Sequence, residues 1–255
     1  MVSVLFLTAL PIYLRAETTF RSGPAQVALV ELYTSEGCSS CPPAEKWLGE
    51  LTRDPGLWQR FVPVAFHVNY WDRLGWRDKL ATQAFTQREY AYAEAWRAAN
   101  VYTPCFVRNG AEWRPREGGL TDRTADAPAA GEIAVSRQTD GKWRVEYMPA
   151  PTPGAAMGKN ASREFDMSVA LLGSGMVSAV KAGENSGREL RHEFVALNLA
   201  TVPLVRGADG NFSAVVSLAL APGRDLPAIP RRAIAAWVTR HGELTPLQAT
   251  GSWLE

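Results

Sequence analysis

The chain of 255 residues is 46% hydrophobic and almost balanced in charge, with 27 Lys and Arg against 26 Asp and Glu. This length and composition support a substantial core, in one large domain or two small ones. A net charge of +1 argues against nucleic acid or an anionic membrane surface as partner. No apolar run reaches the roughly 20 residues of a spanning helix, so no transmembrane segment is predicted.

The first 16 residues have the pattern of a signal peptide. An uncharged apolar run covers Val2–Leu14, and Ala16 offers a small residue for cleavage. No basic residue precedes this run, so an ordinary buried first strand or helix is the alternative. A signal peptide predicts a periplasmic or secreted protein, in a compartment where a cysteine pair can be oxidised.

Two cysteines two residues apart form the most informative motif. A buried strand is predicted over Val27–Tyr33 from its apolar, β-branched residues, and a helix over Pro42–Leu51. Cys38 and Cys41 therefore lie between a strand and a helix, the redox-motif arrangement of thioredoxin-like proteins. Free N–H groups and the dipole of that helix favour a thiolate. The motif predicts Cys38 as the attacking thiol and Cys41 as the thiol that resolves a mixed disulfide.

Other roles of these cysteines stay open. A zinc site would need two further ligands, and the sequence has no second CxxC and no HxxxH motif to supply them. A structural disulfide across so short a loop would constrain the unfolded chain little. Cys105 is expected to act as a small hydrophobe in a buried strand. Alternatively, it joins Cys38 and Cys41 in binding Cu(I) or another soft metal, or is a second disulfide partner.

Further elements are predicted before residue 125. Phe61–Val68 is a second buried strand, parallel to the first because a helix precedes it. A helix over Thr82–Ala99 has apolar residues at helical spacing. Val101–Val107 leads into a third strand, and Asn109-Gly110 predicts a hairpin into a fourth. This β-α-β-α-β-β order predicts a thioredoxin-like α/β domain over residues 25–125.

The pattern changes after residue 125. Short strand-like runs separated by turns predict a β-rich, sandwich-like domain over residues 126–255. These runs are Phe165–Leu172, Met176–Lys181, His192–Leu199, Phe212–Leu220 and Ile234–Thr239. His192 and His241 have no partner pattern, so each is expected to be a surface or strand residue rather than a ligand.

Several motifs together carry a family resemblance. They are Val30–Ala44, Ala65–Asp72, Leu74–Trp76, Val101–Pro104 and Gly183–Arg188. In these motifs the chain closely resembles a family of secreted bacterial proteins known as domain of unknown function 1223, assigned to the thioredoxin-like superfamily. The resemblance implies that fold and thiol chemistry, but no substrate. The chain departs from the family at Asn69, where relatives tend to carry aspartate, and at Cys105, where they tend to carry glutamine.

The resemblance also implies an acid near the cysteines. Glu31 looks like the buried acid of thioredoxin, which would take the proton from Cys41. A structural ion pair of Glu31 with Lys46 or an arginine is the alternative. His67 ends the second predicted strand and is expected to be a core or hydrogen-bonded histidine rather than a metal ligand.

Substrate-binding residues are implied in the same way. Thr103-Pro104 matches the threonine–cis-proline pair that faces the CxxC motif and binds an extended substrate, with a trans proline as the alternative. The loop aromatics Tyr70, Trp71 and Trp76 would wall a substrate groove, or equally cap the core.

The sequence thus predicts an exported thiol–disulfide oxidoreductase. Its substrates would be protein or small-molecule thiols and disulfides, without a cofactor, and a redox partner protein is compatible with this chemistry. Two alternatives stay open. One is a soft-metal protein that uses Cys38, Cys41 and Cys105, and the other is a non-catalytic module whose aromatic loop binds a peptide or glycan.

Overall fold

The structure is a computed structural model that describes residues 19–115, 120, 128–151, 164–220 and 223–254. The predicted signal peptide over residues 1–16 and the predicted domain boundary at residues 125 and 126 lie outside the described residues. The elements are β1 Thr19–Arg21, β2 Ala28–Thr34, α1 Cys41–Glu50, β3 Phe61–His67, α2 Gln83–Trp96, β4 Cys105–Arg108, β5 Ala111–Trp113, β6 Glu132–Arg137, β7 Trp143–Met148, β8 Phe165–Ser174, β9 Met176–Ala179, β10 Glu189–His192, β11 Val195–Pro203, β12 Val205–Arg206, β13 Phe212–Val216, β14 Arg231–Arg240 and β15 Pro246–Leu254.

Local sequence explains where the two helices begin. α1 starts at Cys41, with Pro42 and Pro43 in its first turn, where a backbone N–H would lack a helical partner anyway. α2 follows Thr82, whose side chain accepts a hydrogen bond of 3.2 Å from the N–H of Phe85. Within the described ranges, no helix is long and apolar enough to cross a membrane.

The first strands pair as their connections require. β2 and β3 are parallel, which confirms the prediction for this pair. β4 runs antiparallel to β2, with Cys105 opposite Tyr33. Asn109 and Gly110, both with positive φ, form the predicted hairpin between β4 and β5.

The predicted fold class is wrong. The sequence predicts a β-α-β-α-β-β thioredoxin-like core followed by a separate sandwich-like domain, but the described chain is mostly β-structure with two α-helices. An eight-stranded sheet in the order β15-β14-β8-β11-β3-β2-β4-β5 takes strands from both halves. β3 and β11 join the halves, pairing in parallel at Ala65 and Val195. Because β3 is buried along its whole length, it needs a neighbour on each edge, and the second half of the chain supplies one.

Two cores lie on opposite faces of this large sheet. A second sheet, in the order β1-β6-β7-β13-β12, packs on one face, and α2 packs on the other, where Arg88 lies over the ring of Trp237 in β14. α1 lies on the opposite face of β2 from α2, because Thr34 contacts Glu45 of α1 whereas Glu31 contacts Arg88 of α2. Successive residues of a strand point to opposite faces. Accordingly, Ala170 and Leu172 of β8 join the core that also contains residues of the helices, whereas Val169 and Leu171 join the core beneath the second sheet.

The hairpin of β9 and β10 lies outside both large sheets and packs against α1. β10 ends at His192, three residues before β11 begins beside β3. This connection carries residues from late in the chain to the end of β3 and to the start of α1. The candidate site is built there.

Candidate functional site

The CxxC motif occupies the elbow between β2 and α1, as the sequence predicts. Cys38 lies in the turn before the helix, and Cys41 is the first residue of α1. Both thiols are free and fully buried. The Cys41 N–H donates to the carbonyl oxygen of Cys38 at 3.2 Å, and the Cys38 N–H donates to that of Ser35 at 3.1 Å. The two thiols are therefore held by the same tight turn.

The two thiols differ in acidity. A hydrogen bond from the Cys41 side chain is the largest effect on Cys38, and with Ser40 and Thr103 it outweighs burial and lowers the pKa of Cys38 to about 6. The Sγ atom of Cys38 lies 3.2 Å from Ser40 Oγ and 3.7 Å from the carbonyl oxygen of Thr103. Burial and the neighbouring Cys38 raise the pKa of Cys41 far above its ordinary value. The pair thus combines a thiolate with a protonated thiol near neutral pH.

The Thr103-Pro104 segment faces the motif. Its peptide bond is cis, and Thr103 lies beside Cys38. Trp71 connects the aromatic loop to this segment, because its Nε1–H donates to Thr103 Oγ1 at 2.8 Å. A Cβ atom at Gly37 would lie 2.9 Å from the Cβ of Trp71, so the elbow and this tryptophan are in close contact. Trp71 therefore closes the space between the elbow and Thr103.

We expect Trp71→Phe to make Cys38 more accessible. Cys38 is buried, so a reagent must wait for the structure to open locally. The variant keeps the ring but loses the Nε1 hydrogen bond, whose net contribution of about 1 kcal/mol corresponds to about fivefold more opening. The measurement is the alkylation rate of Cys38 at pH 9, where the thiolate is fully formed. Trp96→Phe is the matched control, because Trp96 Nε1 donates to Gly110 O, outside this site. Equal rates in both variants would contradict a closing role for Trp71.

The other loop aromatics contact the protein interior. Tyr70 and Trp71 are half-buried and pack against the core that also contains residues of the helices. Trp76 Nε1 donates to Glu36 Oε2 at 2.6 Å, next to the motif. Two roles were expected for the loop aromatics. These contacts favour the second, in which the aromatic residues cap the core around the elbow rather than wall a substrate groove.

Residues late in the chain hold the elbow. Asn185 is fully buried, and its Nδ2 donates at 2.9 Å to the carbonyl oxygens of both Glu36 and Cys38. Arg188 Nη1 donates to Asn185 Oδ1 at 2.7 Å and so orients the amide. The Ser39 N–H donates to Glu184 Oε2 at 3.0 Å. The Gly183–Arg188 segment, found in the sequence only through its family resemblance, is thus part of the site.

A buried cluster of five ionisable side chains lies behind the motif; we call it the histidine–carboxylate cluster. Its members are Glu36, Glu45, His67, Asp78 and His192, and each is less than 8% exposed. His67 Nδ1 lies 2.7 Å from Asp78 Oδ2, and His192 Nδ1 lies 2.5 Å from Glu45 Oε2. The two imidazole rings are 5.1 Å apart. The expectation that His67 is hydrogen-bonded in the core is confirmed, whereas His192 is a strand residue with no exposed surface.

The charges in this cluster stabilise one another. Burial opposes the charged form of His192, but Glu45 and Glu36 outweigh it and raise its pKa to about 10. Burial likewise opposes the charged form of His67, but Asp78 outweighs it and raises the pKa of His67. The same pairings hold the pKa values of Glu45 and Asp78 below their usual range, against the effect of burial.

Glu31 lies away from the CxxC motif, on the face of β2 that packs against α2. Arg88 Nε donates to Glu31 Oε2 at 2.7 Å, and the hydroxyl groups of Tyr33 and Tyr92 donate to the same carboxylate. Thr34, on the opposite face of the strand, contacts Glu45 of α1. The ion pair with an arginine, foreseen as the alternative for Glu31, is therefore present. Its role as proton acceptor for Cys41 stays a prediction.

Cys105 lies in a different environment from the motif. It lines a cavity of about 20 Å³ together with Glu89 and Tyr102. Burial raises the pKa of Cys105 to about 12 and that of Glu89 to about 8. In the described ranges, the His, Cys, Asp and Glu side chains that could jointly hold a metal ion include no cysteine. Cu(I) binding by three cysteines therefore gains no support. Sequence reasoning also missed the buried Glu89, an additional group that titrates near neutral pH.

Comparisons with known proteins identify a family and a fold. A family model described as "Protein of unknown function (DUF1223)" matches residues 29–238. The crystal structure of protein AGR_C_4864 from Agrobacterium tumefaciens is similar, with 22% identity, a TM-score of 0.57, and coverage of 90% of this chain and 94% of that chain. HBP35 of Porphyromonas gingivalis is also similar, with 14% identity, a TM-score of 0.60, and coverage of 91% and 76%. At these identities the likeness concerns the fold alone. The comparison with curated proteins gives no match.

Proposed function

The chain belongs to the DUF1223 family, whose function is unknown, and we propose that it is a thiol–disulfide oxidoreductase acting through Cys38 and Cys41. The contrast between the two thiols carries this proposal. The pKa of Cys38 is lowered to about 6, while that of Cys41 is raised, although the two residues share one turn. A structural pair of cysteines has no need of such a difference, whereas exchange requires one nucleophilic thiolate and one thiol in reserve.

The reaction follows from this difference. The Cys38 thiolate attacks one sulfur of a substrate disulfide, so a mixed disulfide forms and the other substrate sulfur leaves as a thiolate. Cys41 then loses its proton and attacks Cys38 Sγ, which releases the second substrate thiolate. The substrate disulfide gains two electrons, and the Cys38–Cys41 pair is oxidised by two electrons. The same steps in reverse oxidise a substrate dithiol, and the relative reduction potentials set the direction.

The position of the segment Thr103-Pro104 supports a protein or peptide substrate. Its backbone lies against Cys38 at the start of β4, where an extended chain could pair with it. Trp71 closes this place in the described structure, so substrate binding includes movement of the aromatic loop. Export belongs to the proposal as well, supported by the apolar N-terminal run, and the mass of the mature chain tests it.

The pH dependence of Cys38 alkylation tests the proposal. A lowered pKa means that the thiolate is present above about pH 6, so the rate should reach half its plateau near pH 6 rather than near the value of about 8.5 for a free cysteine. Cys41→Ala removes the hydrogen-bond donor and should move this midpoint upward by about one to two pH units. Cys41→Ser is the matched control, because its hydroxyl group can still donate, and it should cause a smaller shift. A wild-type midpoint at the ordinary value would remove the basis of the proposal.

A further inference from the structure

The histidine–carboxylate cluster contains buried polar atoms that have no hydrogen-bond partner among the described residues. One ligand atom from each of Glu45, His67 and His192 lies within 4.8 Å of the others, and all three residues are buried. His67 uses Nδ1 to contact Asp78, and its buried Nε2 has no hydrogen-bond partner among the described residues. Buried polar atoms in native proteins are nearly always satisfied, so this nitrogen calls for a ligand.

We propose that Glu45, His67 and His192 form a binding site for a divalent transition-metal ion, with Zn²⁺ the best match. Two histidines and one carboxylate are a recurrent ligand set for Zn²⁺, with water in the fourth position. The ion would insert between His192 Nδ1 and Glu45 Oε2, now 2.5 Å apart, and would take the free Nε2 of His67. Ligand atoms around tetrahedral Zn²⁺ are separated by about 3.3 Å, so His192 and Glu45 would part slightly and His67 would move inward.

Each proposed ligand already has the outer support that metal sites use. Asp78 holds Nδ1 of His67 by a hydrogen bond, and Glu36 Oε1 lies 3.3 Å from Nε2 of His192, an ion-pair distance without hydrogen-bond geometry. Thr34 Oγ1 donates to Glu45 Oε1 at 2.7 Å. Carboxylates that hold the far nitrogen of a ligating histidine fix its tautomer and ring orientation.

The charges of the cluster suit a divalent cation. Three of the cluster's five buried side chains are carboxylic acids, against two imidazoles. A divalent ion held between them places a cation next to these acids, and buried carboxylates need such a partner. Binding releases the protons that the ligand atoms carry.

A surface groove borders the proposed site beside α1. This groove of about 750 Å³ lies between α1 and the residues of β10, and Glu45 lines it. Glu45 also follows Cys41 by four residues, so the two side chains share one face of the helix. One proposed ligand, Glu45, therefore borders a solvent-filled groove, and the proposed site lies one helical turn from the redox motif without using a cysteine.

The test uses a full-length variant in which all three cysteines are serine, so that thiolates cannot bind the ion. After dialysis against EDTA, it is titrated with Zn²⁺ against a chromophoric chelator, and with Co²⁺ by visible absorption. We expect one equivalent of Zn²⁺ per chain, and Co²⁺ bands of tetrahedral nitrogen and oxygen ligation without a sulfur charge-transfer band. His192→Gln should weaken binding at least about a hundredfold, and Asp78→Asn about tenfold to a hundredfold.

The matched control is His241→Gln, because His241 is a half-exposed histidine that also pairs with an aspartate, Asp166. It should bind Zn²⁺ as tightly as its parent. Absence of stoichiometric binding in the cysteine-free protein would overturn the proposal, as would unchanged binding in His192→Gln. If His192→Gln does not fold, the Co²⁺ spectrum of the cysteine-free parent still decides. The cysteine-free protein has no exchange activity under the proposed function. The metal-binding result is therefore independent of whether the protein is a thiol–disulfide oxidoreductase.

Discussion

Replacing Cys38 with serine should abolish thiol–disulfide exchange and leave only the uncatalysed rate. The serine hydroxyl is not ionised at neutral pH and cannot attack a disulfide, so the first step of the proposed reaction is lost. The measurement is the rate at which the reduced protein cleaves a fluorescent peptide disulfide at pH 7. Residual catalysis in Cys38→Ser would show that another thiol is the nucleophile.

Cys41→Ser should behave differently from Cys38→Ser. The first step remains possible, but resolution fails, so a mixed disulfide between Cys38 and the substrate should accumulate and be visible by mass spectrometry under non-reducing conditions. Cys105→Ser is the control for removal of a buried thiol, and its exchange rate should stay close to that of the wild type. Loss of exchange in Cys105→Ser together with an intact fold would assign Cys105 a part in the chemistry.

Local sequence patterns predict most of the individual elements. The buried run of β3 is predicted over residues 61–68 and observed over Phe61–His67. The hairpin at Asn109-Gly110 is correct because both residues tolerate positive φ. These features depend on a few consecutive residues, whose spacing and backbone preferences can be read directly.

The arrangement of strands could not be predicted in the same way. An apolar, alternating run indicates a strand but does not identify its neighbour, and the β3–β11 pairing joins residues 130 positions apart. For this reason the sequence predicts two separate domains instead of one eight-stranded sheet built from both halves of the chain. The alternation in β10 offered one missed signal: Leu190 and His192 are the buried residues of that strand, so the histidine faces inward with the leucine.

The residues of the candidate site likewise fall into those that could be predicted from the sequence and those that could not. The CxxC motif and the cis-proline segment could be predicted, because each is contiguous in sequence. Asn185 and His192 could not be assigned to the site from residue patterns, because their contacts with Cys38 and Glu45 span about 147 residues. Only the fold places the β9–β10 hairpin against α1.

Replacing Arg88 with methionine should destabilise the protein by about 3–5 kcal/mol, because it leaves the buried Glu31 carboxylate without its cation. Arg88 is only 11% exposed and Glu31 only 1%. The guanidinium also lies 5.2 Å from the ring centre of Trp237 and 5.3 Å from that of Tyr92, so cation–π contacts are lost as well. The measurement is the free energy of unfolding in urea at pH 7.

A second variant separates charge from packing. In the double variant Arg88→Met/Glu31→Gln, the amide still accepts from the two tyrosine hydroxyls but carries no buried charge, so it should be more stable than Arg88→Met alone. Arg144→Met is the surface control, because its pair with Glu146 is more than 40% exposed and should be worth at most about 1 kcal/mol. If Arg88→Met were no more destabilising than Arg144→Met, the ion pair would not stabilise this core.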